Sequence, residues 1–360
     1  MKKIRVMIVE DSPVVQQFLE HIINQDPRLE VVAVASTAEK ALGLMSQVSP
    51  AVISMDIRLP GMNGLKATQH IMREQPTPIV VVAGSVTSED LQISMSALCY
   101  GALAVVEKPV GTTHQDYQAL ATQLCTQLAI MSQVKVVRQR WSRDSGEPPS
   151  KANGIQMANP ALQDSNSYEQ LGIVASTGGP SAVLKLLGDL GPHFPLPIAL
   201  VQHMSEGFLS GFASWLDGAC PFRVTIAEEG ERPAQGTVYL APANQHLCLE
   251  RGSWRFDAGD PVSSQRPSGT VLLRSMAKNL GSRALGVLLT GMGDDGAAGL
   301  KALHDAGGYT IAEDVSTAVV YGMPGAAVRI GAVRESLPLH RIGNRLKQLV
   351  AAQQELSHAK

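Results

Sequence analysis

A serine, a histidine and an aspartate in the second half of the chain could together form a hydrolytic site: Ser176, His203 and Asp295. Each follows a short apolar run, at residues 171–175, 198–202 and 285–289 respectively. If these runs are parallel strands, their carboxyl ends meet at one crevice. A serine hydroxyl needs a base to become nucleophilic, and a carboxylate can orient an imidazole base. The pattern predicts a Ser-His-Asp triad, although its chain order differs from that of α/β-hydrolases and no Gly-x-Ser-x-Gly elbow is present.

These residues also have structural interpretations. Segment 176–179, Ser-Thr-Gly-Gly, could form a phosphate-binding loop, because a glycine-rich turn at a helix start suits anions. His203 could be a buried core histidine, and either Asp294 or Asp295 could cap the following helix. His246 is a second candidate base. No His-x-x-x-His or clustered cysteine motif indicates a metal in this half.

Three acids and a lysine define a second constellation in the first half: Glu10, Asp11, Asp56 and Lys108. They follow the first, third and fifth apolar runs, at residues 4–9, 51–55 and 104–106. Each alone could simply end a strand at the surface. Together, such crowded carboxylates repel one another unless a hard cation joins them, and Mg²⁺ accepts carboxylate oxygens while keeping several waters. Asp56 could then accept a phosphoryl group whose oxygens pair with Lys108.

The elements that must position these residues alternate between strands and helices. The first half has predicted strands at 4–9, 31–35, 51–55, 79–83 and 104–106, and helices at 14–24, 38–47, 64–74, 90–100 and 115–133. The second half has predicted strands at 171–175, 198–202, 223–226, 237–240, 285–289 and 310–312, and helices at 181–190, 209–216, 271–279, 297–306 and 342–355. This alternation predicts two α/β units, a doubly wound five-stranded parallel sheet and a second, largely parallel sheet.

Composition is consistent with two packed domains. The chain has 360 residues, of which 44% are hydrophobic and 17% charged, so disorder throughout is excluded. A net charge of −2 does not indicate nucleic acid as a partner. No apolar run reaches the ~18 residues of a membrane span. The absence of a secretion signal and the four scattered cysteines favour a reducing, cytoplasmic location.

We predict three regions along the chain. Residues 1–125 form the first domain, with its closing helix reaching about residue 137, and residues 168–355 form the second. Residues 138–167 include Ser-Gly-Glu-Pro-Pro-Ser and show little periodicity, which is typical of a linker.

The first domain resembles the receiver domains of response regulators, which have a flavodoxin-like fold. The resemblance rests on the acids and lysine above and on Pro-Gly-Met-Asn-Gly at 60–64. It implies that a chemotaxis histidine kinase phosphorylates Asp56, that Lys108 contacts the phosphate, and that Mg²⁺ is held by four groups. These groups are Glu10, Asp11, Asp56 and the backbone carbonyl of Arg58.

The end of the fourth predicted strand departs from the receiver pattern. Receivers usually carry Ser or Thr there, where the hydroxyl reports phosphorylation. This chain has Ala83 and Gly84, so Ser85 or Thr87 would have to substitute.

The second domain resembles the catalytic domain of the chemotaxis protein-glutamate methylesterases and protein-glutamine glutaminases. The matching segments are 175–179 Ala-Ser-Thr-Gly-Gly, 202–204 Gln-His-Met, 239–242 Tyr-Leu-Ala-Pro, 266–268 Arg-Pro-Ser, 289–296 Leu-Thr-Gly-Met-Gly-Asp-Asp-Gly and 321–324 Tyr-Gly-Met-Pro. The resemblance implies that Ser176 is the nucleophile, His203 the base and Asp295 the third member. The resemblance also implies that Thr177 lies beside the nucleophile and that the backbone N–H of Met292 is an oxyanion donor.

Two departures from the methylesterase pattern concern Asp295 and its surroundings. Family members usually have another residue where this chain has Asp294, and Gly269-Thr270 stands where Val-Asp is typical. We therefore expect that a carboxylate near the cleft or the domain contact is missing, with consequences for rate or substrate fit more than for reaction type.

The resemblance implies a phosphorylation-regulated enzyme that hydrolyses γ-glutamyl methyl esters on chemotaxis receptors, releasing methanol, and deamidates receptor glutamines. No cofactor is expected for hydrolysis. We expect a monomer that reaches the membrane only through its receptors, with the unphosphorylated receiver covering the Ser176 crevice. The alternative is a phosphorylation-controlled binding module whose Ser-Thr-Gly-Gly loop holds a nucleotide or a protein. A transcription factor is disfavoured, because no compact basic helix-turn-helix pattern is present.

Overall fold

The computed structural model describes residues 2–84, 88–109, 117–134, 136 and 168–358, with the backbone alone at 88–92, 99 and 352–358. The predicted linker at 138–167 lies outside the described residues, as do Ser85 and Thr87 at the end of the fourth strand. The predicted domain bounds stay a prediction. None of the helices in the described part of the chain has the length and apolar character that a bilayer span requires.

The first unit is a five-stranded parallel sheet with strand order β2-β1-β3-β4-β5, which confirms the predicted fold. Its elements are β1 Ile4–Val9, α1 Pro13–Gln25, β2 Leu29–Ala35, α2 Ala38–Val48, β3 Val52–Met55, α3 Gly64–Glu74, β4 Ile79–Ala83, α4 Ser88–Cys99, β5 Ala104–Glu107 and α5 Tyr117–Met131. Strands β3 and β4 are buried at every position, because helices cover both faces of a parallel sheet. Apart from Ser54 in β3, their sequences are therefore apolar.

The second unit is a seven-stranded parallel sheet with order β14-β13-β12-β6-β7-β9-β8, accompanied by the antiparallel hairpin β10-β11. Its elements are β6 Gln170–Ala175, α6 Gly179–Leu190, β7 Ile198–Gln202, α7 Glu206–Ala219, β8 Arg223–Ile226, β9 Thr237–Leu240, β10 His246–Glu250, β11 Ser253–Asp257, α8 Gly269–Leu280, β12 Ala284–Leu288, α9 Ala297–Asp305, β13 Tyr309–Glu313, α10 Met323–Arg329, β14 Glu335–Leu337 and α11 Leu339–His358. The chain begins this sheet at β6, extends it on one side, and returns to β12 on the other. The strand order therefore reverses between β6 and β12, where ligands bind in such folds.

Three elements of this unit were not predicted: the β10-β11 hairpin, the short strand β14 and the helix α10. The hairpin turns at Arg251 and Gly252, whose φ angles of 50° and 76° suit the tight turns that join antiparallel strands. Leu247, Leu249 and Trp254 are its buried apolar residues, so the alternating pattern was present in the sequence. Strand β14 has three residues and α10 has seven, too few for a periodic signal.

The two units contact each other near the carboxyl end of β6. Helix α4 of the first unit packs against α7 and α6 of the second. Val319, in the loop before α10, packs against the apolar cluster of the first unit and lies 2.7 Å from the point where a Cβ on Gly178 would stand. The contact therefore falls on the turn that carries Ser176.

Candidate active site

The Ser176 turn is held by backbone contacts on both sides. Ser176 donates its N–H to the carbonyl of Thr290 (3.0 Å), and its own carbonyl accepts from the Gly179 N–H (2.8 Å) and from Nε2 of Gln202 (2.8 Å). Gly178 has φ +78°, in the left-handed region that glycine adopts without strain. A Cβ at Gly179 would overlap Oε1 of Gln202, so the Gly-Gly pair is required for this tight connection between β6 and α6.

His203 follows β7, the strand that pairs with β6. Ala175 pairs with Gln202, and the His203 N–H donates to the Ala175 carbonyl at 3.0 Å, so Ser176 and His203 extend neighbouring strands. Nε2 of His203 lies 2.8 Å from Oδ2 of Asp295. Nδ1 is therefore the ring nitrogen left for the nucleophile. Among the described residues, no hydrogen bond joins the Ser176 hydroxyl to His203.

Asp295 is a buried carboxylate, only 2% exposed, in the loop just before α9. Besides His203, it accepts hydrogen bonds from the Ser268 hydroxyl (2.6 Å) and from the N–H groups of Gly269 (2.7 Å) and Thr270 (3.2 Å). Burial alone would raise the pKa of Asp295, but the hydrogen bond and charge of His203, with the Ser268 and Gly269 donors, lower it to about 2. Its neighbour Asp294 is exposed, so the structure distinguishes the two adjacent aspartates.

His246 does not face Ser176, so the structure does not support it as a second base. It is 1% exposed, and both ring nitrogens have partners behind Asp295. Nδ1 accepts from the Ser268 N–H, and Nε2 donates to the Asp260 carbonyl, each at 3.1 Å. His246 therefore supports the residue that contacts Asp295.

The unusual Gly269-Thr270 pair also lies behind Asp295. A Cβ at Gly269 would overlap the Val174 side chain, so glycine allows the start of α8 to approach β6. The hydroxyl of Thr270 accepts from the Gly296 N–H at 2.8 Å. Thr270 is 1% exposed, so this position is turned toward the loop of Asp295 and is closed to solvent.

Thr177 lies within the Ser176 turn, and Met292 lies in the loop that contacts this turn. The Thr177 carbonyl accepts from the Thr290 hydroxyl at 2.9 Å. The Met292 side chain is 50% exposed, and the hydrogen bonds of the described residues leave its backbone N–H without an acceptor. A Cβ at Gly291 would stand 2.7 Å from the Cβ of Ser176, so this loop lies directly against the candidate nucleophile.

A cleft of about 760 Å³ opens over Ser176, and both units line it. Ser176, His203 and Met292 lie on the side of the second unit, and Val106 and Gln127 lie on the side of the first. Nε2 of Gln127, on α5, donates to the Thr177 hydroxyl at 3.1 Å. The first unit thus contacts the residue next to the candidate nucleophile.

The acidic site of the first unit joins the ends of β1, β3 and β5. Carboxylate oxygens of Glu10, Asp11 and Asp56 lie within 4.8 Å of one another. Nζ of Lys108 lies 2.8 Å from Oε2 of Glu10 and 2.7 Å from Oδ2 of Asp56. The structure therefore brings these four predicted residues together.

Burial and charge both act on this site. Burial, together with the Asp56 charge, raises the pKa of Glu10 to about 7 despite the hydrogen bond from Lys108. Burial would lower the pKa of Lys108, but its ion pairs with Asp56 and Glu10 raise it. Three carboxylates and one ammonium group leave negative charge at a hard oxygen donor set, which fits Mg²⁺. The Arg58 N–H contacts Oδ1 of Asp56 at 3.0 Å, whereas the Arg58 carbonyl as a metal ligand stays a prediction.

Several residues that shape the site were not predicted. Gln202, Ser268, Thr290 and Glu313 are all buried polar residues at or just beyond strand ends or at a helix start. Polar residues that interrupt or end an apolar run were the available signal. Their partners lie far along the chain, so their roles were not visible in the sequence.

The fold and the site together define a response regulator, in which a receiver sheet is joined to an α/β unit carrying a serine, a histidine and an aspartate at its strand-order reversal. Residues 6–117 match the response regulator receiver domain, and residues 171–346 match the CheB methylesterase family. The chain belongs to the family of protein-glutamate methylesterase/protein-glutamine glutaminases.

The relatives of this family align over nearly their whole length. Protein-glutamate methylesterase/protein-glutamine glutaminase 2 of Paramagnetospirillum magneticum is 52% identical, covering 97% of this chain and 98% of the relative. The Nitrosospira multiformis protein of the same description is 42% identical, covering 98% of each chain. The CheB methylesterase catalytic domain of Thermotoga maritima is a solved structure with 37% identity and a TM-score of 0.49, covering 51% of this chain and 100% of that one.

Proposed function

We propose that the protein demethylates γ-glutamyl methyl esters on methyl-accepting chemotaxis receptors, releasing methanol, and deamidates specific receptor glutamines. The observation that carries this proposal is the His203–Asp295 hydrogen bond beside Ser176 at the reversal of strand order. The close relatives bear names that describe both activities.

The chemistry follows from the order of the groups in the cleft. The Ser176 hydroxyl attacks the ester carbonyl while Nδ1 of His203 takes its proton, and Asp295 stabilises the imidazolium. The Met292 N–H donates to the oxyanion, and Thr177 helps to position the substrate. The imidazolium returns its proton to the departing methoxide, so methanol leaves. Water then attacks the acyl-serine, with His203 again as base, and glutamate is released.

Deamidation uses the same groups. The leaving group of a glutamine side chain is a poorer one, and it must be protonated to depart as ammonia. His203 holds the required proton after Ser176 attacks. Hydrolysis of the shared acyl-serine then yields the same glutamate product. No cofactor enters either sequence of steps.

Phosphorylation of Asp56 would regulate access to the cleft. In the structure, the first unit lines the cleft, and Gln127 contacts Thr177. We propose that this is the covered state and that phosphorylation loosens the contact. Lys108, which pairs with Asp56, would contact the phosphate oxygens. Mg²⁺, held by Glu10, Asp11, Asp56 and the Arg58 carbonyl, would supply positive charge opposite the incoming phosphoryl group.

The proposed partners are a chemotaxis histidine kinase as phosphoryl donor and the receptors as substrates. The protein would act as a cytoplasmic monomer, peripheral to the membrane only through its receptors, and would not need nucleic acid. Cys125, Cys220 and Cys248 are free thiols in the structure, which is consistent with a reducing compartment.

The test is to compare Ser176→Ala with Ser181→Ala, a change at an exposed serine of the adjacent helix. Both full-length proteins are incubated with a phosphoryl donor and with membranes whose receptors carry labelled methyl esters. Ser176→Ala should lower methanol release by about 10⁴-fold or more, and Ser181→Ala should match the wild type. A serine-directed phosphonylating reagent should modify Ser176, as located by mass spectrometry. Full activity of Ser176→Ala would instead favour the binding-module alternative.

A further inference from the structure

Glu313 is a buried acid next to the active site, and none of the proposed hydrolytic steps involves it. It ends β13 and is 1% exposed. Its Oε2 accepts the Thr290 N–H at 2.9 Å, and its Oε1 has no hydrogen-bond partner among the described residues. Burial raises the pKa of Glu313, against the opposing effect of the Thr290 N–H and the Thr317 hydroxyl. Burying a carboxyl group without an ion pair costs free energy, so we expect Glu313 to have a role that compensates for this cost.

Its partner Thr290 connects three segments of the site. The Thr290 carbonyl accepts the Ser176 N–H at 3.0 Å, and its hydroxyl donates to the Thr177 carbonyl at 2.9 Å. The hydroxyl oxygen also accepts the Val320 N–H at 2.9 Å. Two residues later, the same loop presents the Met292 N–H. Any displacement of Thr290 therefore moves both the Ser176 turn and the loop that carries Met292.

The strand pattern explains why a side chain is needed at this point. The pairing of β12 with β13 ends at Leu288 and Ala312. The Thr290 N–H thus lies beyond the ladder and is buried without a main-chain acceptor. The carboxyl of Glu313 supplies that acceptor from the side of β13.

We propose that Glu313 is a positioning residue for hydrolysis, which holds Thr290 and through it the Ser176–Thr177 turn and the loop of Met292. The inference rests on the proposed function, because it assigns these groups to catalysis. The side chain acts as a hydrogen-bond acceptor. Glutamine, which keeps an acceptor oxygen at the same distance, should therefore replace it, and an apolar side chain of similar size should not.

The test uses full-length protein activated with acetyl phosphate and Mg²⁺, with receptor membranes carrying labelled methyl esters. Glu313→Gln should retain kcat within about threefold. Glu313→Leu should lower kcat about 10- to 100-fold with KM within about twofold, because small displacements of reacting groups slow the chemical step. The rate of phosphonylation of Ser176 should fall in parallel. Wild-type kcat and labelling rate in Glu313→Leu would overturn the inference.

A matched control separates positioning from stability. Thr310→Val removes a buried hydroxyl from the same strand, which contacts the Arg334 N–H and His304 and lies away from Thr290. It should lower the unfolding temperature without lowering kcat, and an equal loss of kcat would overturn the inference. If Glu313→Leu does not fold, Glu313→Asp takes its place. Its shorter side chain withdraws the acceptor, and the same loss of kcat is expected.

The proposed function and the role of Glu313 fail in different ways. If the wild type releases no methanol, the proposed function is wrong, and the labelling rates of Ser176 in the variants still decide the role of Glu313. If the wild type is active and all Glu313 variants match it, only the inference about Glu313 is wrong.

Discussion

Nε2 of His203 and Oδ2 of Asp295 lie 2.8 Å apart, although β6 separates the two strands that these residues follow. The hydrogen bond therefore spans the end of β6, where Ser176 begins the turn into α6. The Asp295 carboxylate is also held by hydrogen bonds from the Ser268 hydroxyl and from the Gly269 N–H at the start of α8. This arrangement fixes the orientation of the imidazole before substrate binds.

Asp295 should make the catalytic unit sensitive to acid. Its pKa is about 2 in the fold against an ordinary value of 3.8, so its contribution to stability is complete above pH 3.8 and is lost as the pH falls toward 2. The contribution is about 2 kcal/mol. The difference in unfolding free energy between wild type and Asp295→Asn should therefore shrink by about 2 kcal/mol between pH 5 and pH 2.

Urea unfolding followed by tryptophan fluorescence measures this change, since Trp215 and Trp254 are buried in the catalytic unit. Asp294→Asn is the matched control, because it removes the exposed neighbouring carboxyl. That variant should follow the wild type at each pH. If the difference in unfolding free energy between wild type and Asp295→Asn stays constant with pH, the lowered pKa of Asp295 is contradicted.

Gln127→Ala should partly release the covered state. It removes the hydrogen bond from α5 to Thr177, and one such bond contributes about 1 kcal/mol. Methanol release by the unphosphorylated protein should rise about fivefold, while the phosphorylated protein should change little. Steady-state rates with and without acetyl phosphate measure both values. Gln118→Ala, on the exposed side of the same helix, is the control and should leave both rates unchanged. If Gln127→Ala raises methanol release equally in the unphosphorylated and phosphorylated proteins, the contact is not regulatory.

Glu10→Gln should stabilise the receiver in metal-free buffer at neutral and higher pH. The Glu10 pKa is about 7 in the fold against an ordinary 4.5, so the energetic penalty of its charge is absent below pH 4.5 and grows as the pH rises through 7. At pH 8 the penalty is up to about 3 kcal/mol. Thermal unfolding with EDTA should show a higher midpoint than wild type at pH 8 and a matching midpoint at pH 4.5.

With Mg²⁺ in place of EDTA at pH 8, we expect the wild type to have the higher unfolding midpoint. The metal should raise the wild-type midpoint at pH 8 and raise that of Glu10→Gln much less, since one carboxylate ligand is gone. Glu20→Gln, at an exposed position of α1, should respond to EDTA and Mg²⁺ as the wild type does. Equal Mg²⁺ responses in Glu10→Gln and wild type would remove Glu10 from the metal site.

Gly291→Ala should damage catalysis more than stability. The added Cβ would stand 2.7 Å from the Ser176 Cβ and would overlap the Met323 side chain, so the loop of Met292 or the Ser176 turn must shift. We expect kcat to fall about 100-fold. Gly188→Ala is the control within α6, where nothing lies within 4 Å of the new Cβ, and it should keep full activity. Wild-type kcat in Gly291→Ala would show that the loop adapts without cost.

The sequence alone determined the strands of the first sheet, six of the seven strands of the second, their parallel arrangement and the strand ends at which the candidate residues lie. This was possible because a parallel sheet covered on both faces requires continuous apolar runs, and βαβ connections bring the carboxyl ends of those runs to one edge. Ser176, His203, Asp56 and Lys108 follow from that rule. The hairpin β10-β11 has an alternating pattern, but its strands are short. Strand β14 and helix α10 contain too few residues for a periodic pattern to be recognised.

Only the tertiary structure decided which neighbouring residue contacts which. It distinguished buried Asp295 from exposed Asp294, placed His246 behind the site, and connected Glu313 to Ser176 through Thr290. These relations depend on side-chain direction at the ends of strands and loops. Contacts between residues that lie tens or hundreds of positions apart leave no periodic signal, because they are set by packing of the whole sheet.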